Sequence, residues 1–144
     1  MTLDEIQMLW DKDCCIDTTN LTNEAQNIPK LHAKYYRIYI KQRMIVAQYQ
    51  HQLKKLRFDK YEFFTNPTEY HIKELNWKVP PQGRLLKNEV NQYIDCDKDV
   101  IDLELKIAIQ QEKTQFCKSI IDTINTRGFL LKTILDERKF NNGL

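Results

Sequence analysis

Within eleven consecutive residues, Lys54-Lys55-Leu56-Arg57-Phe58-Asp59-Lys60-Tyr61-Glu62-Phe63-Phe64, the chain places four cations and four aromatic rings. Lysine and arginine neutralise phosphates, and a ring offers a π-face to an unstacked base. This mixture is the chemistry of a single-strand nucleic-acid platform. Lys54, Lys55, Arg57 and Lys60 are the candidate phosphate contacts and Tyr61 and Phe64 the candidate stacking rings, with Lys41 and Arg43 extending the basic surface upstream. An equally simple reading makes the cluster a packed aromatic helix end decorated with lysines.

The segment from Ile28 to Phe64 carries nine Lys/Arg against two acids and holds eight of the fifteen aromatic rings, a local charge of +7. Residues 1–27 hold one lysine against six acids, and the chain from Thr65 onward is neutral, so the overall charge of +2 hides a strong asymmetry. An acidic head before a basic helix makes either an internal electrostatic clamp or two surfaces with different partners. Lys30, Lys34, Arg37 and Lys41 recur at three and four residues and line one helix face, a pattern that is most often a solvated surface.

Other chemistries lack their residues. His32, His51 and His71 have no carboxylate or cysteine at ligand spacing, and Cys14, Cys15, Cys96 and Cys117 form neither a zinc pattern nor a disulfide framework. Three scattered glycines cannot build a phosphate-cradling loop, which excludes an ATP-driven motor or recombinase, and no nucleophile elbow or metalloprotease helix occurs. We therefore expect no enzymatic activity, no cofactor and no metal. No apolar run approaches the roughly 20 residues of a membrane span, and Met1-Thr2-Leu3-Asp4-Glu5 lacks the features of a signal peptide, so a cytosolic protein is expected.

Few helix breakers and no strand alternation predict an all-α protein with elongated helices, organised as one domain over 1–144. Residues 1–65 form the N-terminal helices with the platform, 66–89 an irregular arm and 90–144 the C-terminal helices. The first helix runs from Leu3 to about Lys12, and Asp17-Thr18-Thr19-Asn20 supplies N-cap chemistry for a long basic second helix. Pro29 predicts a kink or restart, because proline removes a hydrogen bond and clashes one turn back. The long helix should end at Asn66-Pro67, and Pro80-Pro81 and Gly83 mark a loop or extended arm before helix signals resume near Arg84. They pause at Asp95-Cys96-Asp97.

From Lys98 towards Phe140 a four-three step runs through Leu103, Ile107, Gln110, Thr114, Cys117, Ile121, Ile124, Gly128, Leu131 and Leu135, a heptad seam. A second stripe, Phe116, Ile120, Leu130 and Ile134, makes the last turns apolar on two flanks. Such a helix buries one side in its own protomer and the other in a neighbour, so Ile121, Ile124, Gly128, Leu130, Leu131, Ile134 and Leu135 are the candidate oligomerisation residues. Gly128 permits either a close backbone approach or a bend.

Three stretches carry a family resemblance: Cys15-Ile16-Asp17-Thr18-Thr19-Asn20-Leu21 with Glu24-Ala25, Lys60-Tyr61-Glu62-Phe63-Phe64-Thr65, and Ile124-Asn125-Thr126-Arg127-Gly128-Phe129 with Lys132 and Ile134. In order and spacing they resemble the UvsY-type recombination mediators of T-even-like phages. The resemblance implies a ring-forming helical protein of the infected host's cytoplasm. Such a protein binds single-stranded DNA and helps load the phage recombinase onto strands covered by the phage single-strand-binding protein. Phe63 and Phe64 stand where the family carries tyrosines, which removes hydroxyls but not stacking faces, and Asn66 stands where glycine is usual. Asparagine tolerates the left-handed backbone such a turn would need. Two alternatives remain open from the residues alone: a coiled-coil scaffold whose basic stripe pairs with acidic helices, and an RNA-binding regulator using the same platform.

Overall fold

A computed structural model describes residues 1–143, which form six α-helices and no strand. The order is α1 (Leu3–Asp13), α2 (Leu21–Thr65), α3 (Glu69–Lys73), α4 (Lys87–Asp95), α5 (Lys98–Asn125) and α6 (Arg127–Asn141). The all-α expectation holds. The helices cluster into two compact units, Met1–Met44 with Gln111–Leu144, and Ile45–Gln110, and α2 and α5 contribute residues to both. Packing thus groups the chain differently from the consecutive segments 1–65, 66–89 and 90–144; the last residue of the third lies outside the described residues.

The first unit begins with a capping box: Thr2 Oγ1 accepts from Glu5 N at 3.1 Å and Glu5 Oε2 accepts from Thr2 N at 2.8 Å, satisfying two otherwise orphaned donors of α1. The start of α2 is signalled as expected, with Asn20 Oδ1 accepting from Asn23 N at 3.1 Å and Asp17 closing a turn on Thr19 N at 2.9 Å. The helix continues through Pro29 without a restart. Its core joins Ile6, Tyr35, Cys117, Ile120, Ile121 and Ile124, with Trp10, Ile28, Leu31 and Ile38 packed around them. These positions fall three or four residues apart on each helix, which brings one face inward.

In the second unit the end of α2 supplies Phe63 and Phe64 to a core completed by Leu85, Val90, Ile94 and Val100. The segment expected to be a loop or extended arm is instead folded back. It contains α3, and Leu85 N donates to the carbonyl of Phe64 at 2.9 Å. Asn76, with φ of 55°, reverses the chain after α3 so that Trp77 N reaches His71 O at 3.0 Å and its ring stacks on His71 at 5.4 Å. Asn66 does not adopt the left-handed conformation; it extends the end of α2, donating to Glu62 O at 2.8 Å.

The seam on α5 is legible in burial: Ile107, Gln110, Cys117, Ile121 and Ile124 are buried. The helix is interrupted at Thr126, not at Gly128, and Thr126 Oγ1 bonds back to Thr123 O at 2.9 Å. A Cβ on Gly128 would meet only Ile28 Cδ1 at 3.9 Å, so ordinary contact space surrounds it and no close backbone approach requires the glycine.

Candidate nucleic-acid interface

The cluster at the end of α2 divides by depth. Lys54 and Lys55 point to solvent, and Phe58 is 60% exposed beside them. Arg57 is half-buried and held by two acids of the same unit, Asp95 at 2.8 Å and Glu104 at 3.6 Å. Tyr61 packs partly against the core.

Lys60 and Phe64 are corrections to the sequence reading. Lys60 is 3% exposed and Phe64 5% exposed. The Lys60 ammonium lies between Asp97 at 3.2 Å and Asp99 at 3.0 Å and sits 3.8 Å over the Trp77 ring. A cation so enclosed is stabilised by paired charge and the aromatic quadrupole, and in this conformation no phosphate reaches it. Phe64 packs on Phe63 and Tyr93, so its faces are used by the core. Phe58, which the stacking assignment passed over, is the exposed ring of the cluster. Its signal was its position: Phe58 follows Lys54 by four residues and lies off the face that carries Leu53, Leu56 and Phe63.

Lys41 and Arg43 belong to the first unit, and both are exposed. Arg43 lies 5.5 Å from the Tyr39 ring centre. Of the stripe, Lys34 pairs with Asp13 at 2.5 Å, while Lys30, Arg37 and Lys41 face solvent.

The acidic head is in part an internal clamp. Burial tends to raise Asp13, but hydrogen bonds from Lys34 and from the Tyr35 hydroxyl at 2.8 Å, with the charges of Lys34 and Arg127, hold it below the usual carboxylate range. Burial and the Asp13 carboxylate push the Tyr35 phenol well above its ordinary value. Arg127, which the sequence reading used only as part of a motif, is a second clamp. Its guanidinium donates to Asp13 O at 3.2 Å, to Cys15 O at 3.1 Å and to Glu24 Oε2 at 3.1 Å. An arginine set between the seam residues Ile124 and Leu131 needs a buried acid, and Glu24 was the signal.

The candidate oligomerisation residues also divide. Ile121, Ile124 and Leu131 are buried within the first unit and Ile134 is half-buried, whereas Leu130 and Leu135 are exposed together with Phe129, at 76%, and Phe140. Burial does not follow the two stripes: Phe116 and Ile120 of the second stripe pack in the core, whereas Leu135 of the seam and Leu130 of the second stripe are both left exposed.

A family model described as recombination, repair and ssDNA binding protein UvsY matches residues 9–144. The chain belongs to the UvsY family. It is 30% identical to the recombination protein uvsY of Enterobacteria phage T4 over 146 aligned positions, covering 99% of both chains. Crystal structures of the bacteriophage T4 recombination mediator protein UvsY share the all-α fold. In one lattice the TM-score is 0.81 at 25% identity, covering 99% of this chain and 98% of that one. In another it is 0.77 at 25% identity, covering 98% and 99%. No helix among the described residues is long and apolar enough to cross a membrane, and no group of three or more His, Cys, Asp or Glu side chains gathers among them in a way that could hold a metal.

Proposed function

We propose that this UvsY-family chain is a single-stranded DNA-binding recombination mediator that promotes loading of a phage recombinase onto strands covered by single-strand-binding protein. The observation that carries the reading is the match to phage T4 UvsY along the whole chain. Lys54, Lys55 and Phe58 form the accessible part of the platform in the second unit; Lys41 and Arg43 are a separate basic patch in the first. Arg57 joins the platform when it leaves its acids, and Tyr61, half-buried against the core, borders it. The protein works without chemistry of its own, by differential binding: it holds the strand in a form that the recombinase accepts and the single-strand-binding protein does not.

A homo-oligomer, closed as a ring through the exposed apolar residues Phe129, Leu130 and Leu135 of α6, presents several platforms at once in the cytoplasm of the infected host. Linked weak sites strengthen one another through effective concentration. Titration of labelled single-stranded DNA at several salt concentrations tests the platform. Reversing Lys54 and Lys55 to Glu should weaken binding irrespective of sequence and lower the log–log salt slope by about 0.7 per lost phosphate contact. Unchanged affinity and slope would remove the platform. Competition with RNA of the same sequence separates this reading from an RNA-directed one, since the 2′-hydroxyl is the group that differs.

A further inference from the structure

Cys14 caps the C-terminus of α1, and Cys15 follows it. Both side chains are exposed, and both thiols turn to one acceptor, the carbonyl of Asp11, at 3.4 Å from Cys14 Sγ and 3.8 Å from Cys15 Sγ. Sharing an acceptor brings the two sulfurs together on one side of the helix end. Cys15 also lines a cavity of about 320 Å³ in the first unit, whose wall includes Lys12, Ile28, Lys30 and Leu31. Open space therefore lies beside Cys15. Of the other cysteines, Cys117 is buried in the core and Cys96 stands in the second unit.

We propose that Cys14 and Cys15 form a vicinal dithiol site that captures a thiophilic trivalent centre, with a monosubstituted arsenical as its simplest ligand, by bridging it through both sulfurs. Two alternatives fit less well. A direct disulfide between neighbours is strained, because adjacent Cα atoms lie about 3.8 Å apart, short of the roughly 4.4 Å at which unstrained bridges begin. Zinc asks for three or four protein ligands, and no third donor group gathers there. A large soft atom that takes two thiolates relieves the first problem by spanning the sulfurs and does not need the third donor. Lost hydration and the neighbouring Cys15 raise the Cys14 thiol, which lowers its thiolate fraction.

The step balances without an oxidant. The hydrated arsenical carries two As–OH groups; two As–O bonds and two S–H bonds break, two As–S bonds form, and two waters leave with arsenic still trivalent. The test is intact mass of the folded protein after exposure to phenylarsonous acid. One adduct per chain should form, resist excess 2-mercaptoethanol and be removed by 1,2-ethanedithiol. Cys14→Ser or Cys15→Ser should weaken retention by about 10²-fold or more, the usual advantage of a second linked bond. Cys96→Ser should change nothing. An adduct that the monothiol strips from the unsubstituted chain, or one that persists in Cys14→Ser, would overturn the proposal.

Discussion

Single residues separate the two roles that the basic–aromatic cluster offered. Phe64→Ala empties a core site and should cost about 3–5 kcal/mol of stability in a denaturant titration. Phe58→Ala should leave stability within about 0.5 kcal/mol and weaken single-strand binding by about 1–3 kcal/mol if its ring stacks on a base. If the two variants behaved alike, depth within the fold would not be what divides the cluster. Asp13 gives a pH prediction. Its folded value is depressed, so its contribution is present above the unfolded carboxylate range and is lost as pH falls through the folded value. The stability advantage of the unsubstituted protein over Asp13→Asn should therefore be constant near neutrality and shrink below about pH 4. An advantage that grew on acidification would contradict the assignment. Lys60, Phe64 and Arg127 were not separable from the surface in the sequence, because their partners Asp97, Tyr93 and Glu24 lie far along the chain. Residue type states what a side chain can do, and only packing states whether it is free to do it.

At the scale of helices, local chemistry was enough for most boundaries. The Asn20 cap, the stop at Asn66-Pro67 and the pause around Cys96 all rest on neighbours a few residues apart and appear where expected, and the capping box at Thr2, which the sequence analysis did not read, fixes the start expected at Leu3. The misses needed long-range contacts. The arm folds back because Trp77 and Leu85 find the apolar end of α2, and the break at Thr126 carries no glycine or proline to announce it. The α4–α5 region adds a mechanism of its own: Asp95 and Glu104 hold Arg57, so a strand must displace them before that cation can meet a phosphate. Asp95→Asn combined with Glu104→Gln should tighten single-strand binding and steepen the log–log salt slope by about 0.7, one contact's worth. Equal or weaker binding in the double variant would show that Arg57 is structural in both states. On α6, Leu130→Glu should dissociate the proposed homo-oligomer while the protomer stays folded, whereas Leu131→Glu should unfold it, because only the second buries a charge within the protomer. Sedimentation and circular dichroism distinguish these outcomes.

For the whole molecule, composition already separated an acidic head, a basic middle and a neutral remainder, and the structure turns part of that asymmetry inward through the Asp13–Lys34 pair. Exposed acids remain at Asp4, Glu5, Asp11 and Asp17, and exposed basic residues at Lys41, Arg43, Lys54 and Lys55, on a chain of the UvsY family. Weak repeated contacts suit a protein that must hold a strand and then yield it to another. The most direct measurement is the lag before a phage recombinase begins to hydrolyse ATP on single-stranded DNA already covered by single-strand-binding protein. Adding this protein at moderate salt should shorten the lag, and the Lys54→Glu/Lys55→Glu variant should shorten it less. A lag unchanged by a protein that demonstrably binds the strand would contradict the mediator account.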